Sequence, residues 1–238
     1  MNLQKTEVKH VELVCDGWHA LNRTRANELK KIGESKGLIY TLHAPFADVN
    51  IAAPDKRTRS FVIKRLDESM KLARLLECQL MVFHPGLRTG ISSFYPGVDW
   101  KTNIESTKRL LKLSRDHDVT IAIENCPEPF GFLLKNVKQF SEFFNELAED
   151  LALVLDVGHS NINGQTHAFI EAFGEKIVHV HAHDNVGKHD QHLGVGYGTV
   201  NWNQLAKDLK KVGFSRTIVV EACTNVEESL EKLQKLFA

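Results

Sequence analysis

Residues 151–159 read LALVLDVGH: five apolar residues, an aspartate, and a histidine three positions further on. An apolar run without polar alternation suits a strand buried on both faces, as in a parallel sheet covered by helices. The same grammar recurs in LIYTLHAP (38–45), LMVFHPG (80–86), VTIAIENCP (119–127), IVHVHAHDN (177–185) and TIVVEACT (217–224). Each run stops at a histidine or a carboxylate. With the first run, HVELVCD at 10–16, seven strands are expected, over 10–15, 38–43, 79–84, 119–124, 151–156, 177–183 and 217–222.

Between the runs lie charged segments with helical spacing. In 56–78, Val62, Leu66, Ala73 and Leu76 form one stripe while Lys56, Arg57, Lys64, Asp67 and Lys71 face water. Segments 101–115, 136–148, 203–212 and 226–237 read the same way. Strand and helix alternate with no linker or low-complexity tract, so residues 1–238 are expected to form a single domain. The architecture expected is an α/β TIM-type (β/α) barrel, in which functional groups gather at the C-terminal ends of the strands. A doubly wound open sheet is the alternative, but it would concentrate such groups near one switch point.

Seven strands are one fewer than a standard barrel has, and about nine residues before the first run cannot supply a further strand and its crossover. The barrel is therefore expected to lack its first βα unit. Two bare edges are a liability, so the N-terminal segment, a local closure of the sheet or a second copy of the chain is expected to cover the gap. A chain that begins part-way into a longer barrel is the other reading.

Composition narrows the partners. Thirty basic and thirty acidic residues cancel, leaving no global field toward nucleic acid or a membrane surface. No apolar stretch approaches the roughly 20 residues needed to span a bilayer. Cys15, Cys78, Cys126 and Cys223 show no CxxC spacing and the N-terminus has no apolar signal core, which places the chain in the reducing cytoplasm as an expectation.

Nine side chains at or just beyond the strand ends carry the chemistry: His43, His84, Glu124, Asp156, His159, His181, Asp190, His192 and Glu221. Nitrogen and oxygen donors without cysteine suit a divalent metal in a catalytic rather than a structural site. Zn²⁺ stands foremost, with Mn²⁺, Co²⁺, Fe²⁺ or Mg²⁺ as alternatives, and one to three ions are expected. A lone histidine at a strand end is more often a hydrogen-bonded structural residue, but nine tips in register make that reading weak as a joint explanation. His179, His181 and His183 share one strand face. His181 is read as a ligand, His179 as a deeper structural residue and His183 as a substrate contact. Lys188 and Arg88 are further candidates for a phosphate or sugar hydroxyls, with solvated surface charge the equal or better alternative. The loop KHDQHLGVGYG (188–198) is expected either to close over the site or to be an ordinary flexible connection; it is neither a Walker nor a dinucleotide motif.

These motifs resemble the xylose isomerase-like TIM-barrel superfamily, which contains sugar and sugar-phosphate isomerases and epimerases as well as endonuclease IV. The resemblance runs from HVELVCDGW to VVEAC and rests most specifically on LHAPFADVN, FHPG, AIEN, LDVGH and HAHDN…HDQHLGVGYG. Likeness to endonuclease IV implies three metals: one on His43, His84 and Glu124, a second on Glu124, Asp156, His181 and Glu221, a third on His159, Asp190 and His192. Likeness to the isomerases implies one metal on the second set, with Glu124 and Glu221 as the catalytic proton-transfer pair. The resemblance leaves two activities open. The first is a divalent-metal sugar or sugar-phosphate isomerase or epimerase. The second is an abasic-site phosphodiesterase acting on DNA, for which Phe46 departs from an expected tyrosine and the basic stretch DKRTRSFVIKR reads better as a solvated helix face. A non-catalytic barrel that binds metal or a partner is the third reading.

Overall fold

The computed structural model of the protein describes residues 8–238. Seven parallel strands, β1 (His10–Val14), β2 (Ile39–His43), β3 (Met81–Phe83), β4 (Ile121–Glu124), β5 (Ala152–Asp156), β6 (Ile177–Ala182) and β7 (Thr217–Val220), pair in sequence order as a nearly closed TIM-type barrel. The helices are α1 (Arg23–Lys36), α2 (Lys56–Leu75), α3 (Val98–His117), α4 (Val137–Leu147), α5 (Val157–Ile162), α6 (Thr166–Phe173), α7 (Trp202–Lys211) and α8 (Val226–Phe237). Among the described residues, no helix is long and apolar enough to cross a membrane.

Strand alternation sets which residues face the barrel axis. Leu42, Met81, Phe83, Ile121, Ile123, Leu153 and Leu155 point outward into the main core with Leu66 and Met70 of α2 and Phe140 and Phe143 of α4. The alternate positions Val82, Ala122 and Val154 pack together with Leu80 inside the barrel. His84, Glu124 and Asp156 each follow one of these interior residues by two positions. The apolar floor and the polar mouth are thus the same strand faces read two residues apart.

Two helical regions depart from expectation. α1 has only Ala26 and Gly33 buried; it packs through Ala26 and Leu29 against Tyr40, whose hydroxyl donates to Leu29 O at 2.9 Å, and its ends are capped, with the Asn22 side chain accepting from Arg25 N and Gly37 ending it at φ +63°. Between β5 and β6 the chain forms two short helices, α5 and α6. The first starts directly from Asp156, whose carboxylate accepts from His159 N at 2.6 Å.

At the missing unit, β1 and β7 approach without a shared backbone ladder among the described residues. His10 Nδ1 and Thr217 Oγ1 lie 3.2 Å apart, and a cleft of about 940 Å³ follows the seam between Val11, Val219 and the α8 residues Leu230 and Phe237. The sheet thus draws its own edges together. Residues 1–7, the N-terminal segment expected as another cover, lie outside the described residues.

Candidate metal centre

All nine sequence-identified donors gather at the C-terminal mouth of the barrel. His43, Glu124 and Asp156 are the last residues of β2, β4 and β5; His84 and Glu221 follow β3 and β7 by one residue; His181 lies within β6 and His159 in α5. Asp190 and His192 come from the long loop after β6. Three of the four donor sets among the described residues are built mainly from them, each with ligand atoms within 4.8 Å of one another: His43, His84 and Glu124; Glu124, Asp156, His181 and Glu221; and His159, Asp190 and His192, joined by His183, which was expected as a substrate contact. Glu124 joins the first two. Its Oε2 lies 3.2 Å from His43 Nε2 and 3.0 Å from His84 Nε2, and its Oε1 lies 3.1 Å from His181 Nδ1.

The far side of each ring tests whether a metal fits. A ligating imidazole presents a lone pair forward and hands its remaining N–H to an acceptor behind it. His43 Nδ1 faces its neighbour's carbonyl at Ala44 (2.9 Å), His159 Nδ1 the carbonyl of Asn125 (2.7 Å) and His192 Nδ1 the carbonyl of Glu221 (2.9 Å). A carbonyl can only accept, so in these three rings Nδ1 carries a proton and Nε2, which faces the carboxylates of the centre, is the nitrogen a metal would take. His84 lacks this support, its Nδ1 being buried without a partner. The donor types and ring settings fit divalent ions.

Charge is concentrated to match. Burial opposes ionisation of Glu124, yet the facing His181 and His84 hold its carboxyl well below the ordinary range. Burial acts in the same direction at Glu221 and there prevails, lifting that carboxyl against the pull of His181. Burial alone would favour neutral rings at His43 and His159, but Glu124 at the first and Asp156 and Asp190 at the second raise both to about 9. His192, beside Asp190, is raised to about 10.

Positioning residues surround the donors. Asn125, in the AIEN motif, accepts from Asp156 N at 2.7 Å and donates to Asp156 O at 3.0 Å, locking the β4 and β5 tips together. Asp16 accepts from Phe46 N, Ala47 N and Arg65, fixing the loop after His43. The 188–198 loop is anchored rather than free. Asp184 pairs with Leu193 through both backbone bonds, and its carboxylate accepts from Gly196 N, Val200 N and the indole of Trp202. A Cβ at Gly198 would collide with the Asn185 carbonyl, which explains one of that loop's glycines.

The expected substrate contacts fall in different places. His183 is fully buried, lies 3.0 Å from Asp156 Oδ1 through Nε2 and stacks on His192 at 3.9 Å between ring centroids. Gly158 makes this fit, because a Cβ there would run into the His183 ring. Arg88 is exposed and turns toward Asp99 at 3.8 Å. Lys188 is exposed on the loop. At the rim, Phe46 packs edge-on to His43 at 5.3 Å and against His84 at 5.4 Å, and Phe132 packs edge-on to His84 at 5.6 Å. His179 is buried, as expected. Its partner, Glu12, was not singled out by sequence, although an acid inside the apolar run HVELV was the available signal.

The family model described as xylose isomerase-like TIM barrel matches residues 2–236. The chain belongs to this family. A solved D-tagatose 3-epimerase-like protein is similar over 98% of this chain and 90% of its own, with a TM-score of 0.92 and 26% identity. An uncharacterised protein of Methanocaldococcus jannaschii is 32% identical over 93% of this chain and 84% of its own. A probable endonuclease 4 of Aquifex aeolicus is 26% identical over 80% of this chain and 73% of its own.

Proposed function

We propose that this family member is a divalent-metal-dependent sugar or sugar-phosphate isomerase or epimerase. The observation that carries the reading is the convergence of Glu124 and Glu221 on one point: their Oε1 atoms lie 3.1 and 3.4 Å from the same His181 nitrogen. The two carboxylates enter from β4 and from the tip of β7. Flanking acids are what removal of a proton from one face of a carbon and its return from another require. Their environments also push them apart, Glu124 toward the charged form and Glu221 toward the protonated one, the asymmetry that separates a base from an acid. Glu221 is the more accessible, its side chain 21% exposed against 1% for Glu124.

Glu124, Asp156, His181 and Glu221 would hold the ion, which when bound supplies a Lewis acid for a substrate carbonyl or hydroxyl. Asn125 keeps Asp156 in place, and Phe46 and Phe132 give the mouth an apolar wall suited to a small substrate. The high structural likeness to a D-tagatose 3-epimerase-like protein supports the same class.

The second reading is an endonuclease IV-like phosphodiesterase on abasic DNA. It is supported by the three donor sets, complete in this chain, and by the probable endonuclease 4 relative. Clustered ions would there generate hydroxide and balance phosphate charge. One pair of assays separates the two. Incubation with ketoses and their phosphates in deuterated water is expected to place deuterium on the substrate carbon, while an abasic duplex stays intact. Strand incision without deuterium exchange would remove the isomerase reading, and a metal-loaded protein inert in both assays would leave a binding barrel.

A further inference from the structure

Beneath the donor set lies an acid that the proton-transfer reading does not use. Glu12 projects from β1 into the barrel with its side chain only 4% exposed. Its Oε2 accepts the Thr41 hydroxyl at 2.9 Å and lies 3.0 Å from His179 Nε2. Its Oε1 lies 3.0 Å from His181 Nε2. A carboxylate so removed from water must be compensated by its neighbours. Those neighbours are two imidazoles of β6, one of them a candidate ligand.

His181 is therefore held between two acidic groups. Nε2 faces Glu12, while Nδ1 faces Glu124 and Glu221 at 3.1 and 3.4 Å. A neutral imidazole carries one N–H and one lone pair. In the metal-free ring Nδ1 makes the hydrogen bond, to Glu124 Oε1 at 3.1 Å; an ion bound by Glu124, Asp156 and Glu221 would need the Nδ1 lone pair, so the ring's proton would then have to sit on Nε2, where Glu12 Oε1 is the facing carboxylate at 3.0 Å. Both contacts to Glu12 approach off the straight hydrogen-bond line, which leaves charge as their main component. Glu12, His179 and His181 also converge closely enough to resemble a donor set of their own. Occupying it together with the upper set would require the neutral His181 ring to lose its one N–H and become an imidazolate.

We infer that Glu12 is a positioning residue for the metal centre: its charge keeps the His181 proton on Nε2 and the ring turned so that Nδ1 joins Glu124, Asp156 and Glu221 as a ligand. This rests on the metal-dependent reading of that set. Carboxylates behind metal-binding histidines orient the ring and raise its basicity, and their loss typically weakens metal affinity 10–100-fold.

The test uses the full chain loaded with Zn²⁺ alone. Zn²⁺ content and affinity against a competing chelator are measured for wild type, Glu12→Gln, Glu12→Asp and Asp156→Asn. Glu12→Gln keeps the shape, removes the charge and offers an amide N–H to His181. One equivalent is expected to weaken about 10–100-fold, the same equivalent that Asp156→Asn removes, while the remaining equivalents hold. Glu12→Asp, which retains the charge, should show a smaller loss. The wild-type protein supplies an independent readout should the variant not fold: ¹⁵N shifts of Zn²⁺-loaded protein should place the His181 proton on Nε2. Unchanged affinity in Glu12→Gln, or a proton on Nδ1, overturns the inference. So does additive loss of two different equivalents in the Glu12→Gln/Asp156→Asn double variant, which would make Glu12 a ligand of a separate ion. A wild type that binds no Zn²⁺ against the chelator is a distinct outcome. It removes the metal reading itself, and this inference with it.

Discussion

The mouth of the barrel and the β1–β7 seam are built by opposite means. At the mouth, β4 is buried along its whole length, β5 along all but its first residue, and their tips are cross-braced by the two hydrogen bonds of Asn125. At the seam, every residue of β7 is half-buried and, among the described residues, one side-chain hydrogen bond, His10 to Thr217, spans the gap. Yet the proposed acid/base pair takes one member from each region, Glu124 from the braced side and Glu221 from the tip of the loose strand. On the proposed reading, the acid/base pair therefore joins a braced strand end to one at the more exposed seam.

The sharpest way to break this comparison is kinetic. Glu221→Gln should lower turnover by roughly 10²–10⁴-fold, the usual contribution of a positioned acid or base, with Asp156 and His181 still holding metal. Near-normal deuterium exchange in a metal-loaded Glu221→Gln enzyme would sink the division of roles. Chelation should abolish turnover in wild type, and activity returning with Zn²⁺, Mn²⁺ or Co²⁺ would identify the working ion.

A second expectation concerns the metal-free protein. His43 and His159, normally near 6.5, are raised to about 9 by their acidic neighbours. A group whose pKa is higher when folded stabilises fully below its unfolded value, and that contribution disappears as pH rises through the folded one. Metal-free protein should therefore lose stability between about pH 6.5 and 9, on the order of 3 kcal/mol for each ring if the shifts acted alone. The two rings share Glu124, so the losses will not add. Denaturant midpoints across this range are the measurement; a midpoint flat from pH 6.5 to 9 would contradict the assignment.

Smaller effects compare the two regions directly. Asn125→Ala leaves the amide and carbonyl of Asp156 buried without those partners and should cost about 2–3 kcal/mol in urea unfolding. Thr217→Val removes the seam contact, where the loss should stay within about 0.5 kcal/mol because water reaches both groups. Equal costs at the two sites would mean that the seam is braced as firmly as the mouth.

The strands were legible because a strand buried on both faces has no polar alternation to hide it, and the end of each run doubled as a ligand. Helix α1 was not, since RTRANELKKIGESK buries only Ala26 and Gly33 and its contacts come from the Asn22 and Gly37 caps and from Tyr40, a residue of β2. The nine donors were legible as a set. Their bracing was not: Asn125 acts across a sheet partner 31 residues away, and Glu12 meets β6 only once the strands curl round to bring it opposite His179 and His181. The glycines of the 188–198 loop suggested either a flap or an ordinary flexible connection, whereas Asp184 tethers it at Leu193 and Gly196 through bonds that glycine content does not encode.

The histidine at position 192 is held by the carbonyl of Glu221, not by its carboxylate. The main chain at the tip of β7 therefore secures one donor set while the side chain serves another. Evolution could exchange that side chain without releasing the loop, so a new reaction could be tried on this barrel with its architecture undisturbed.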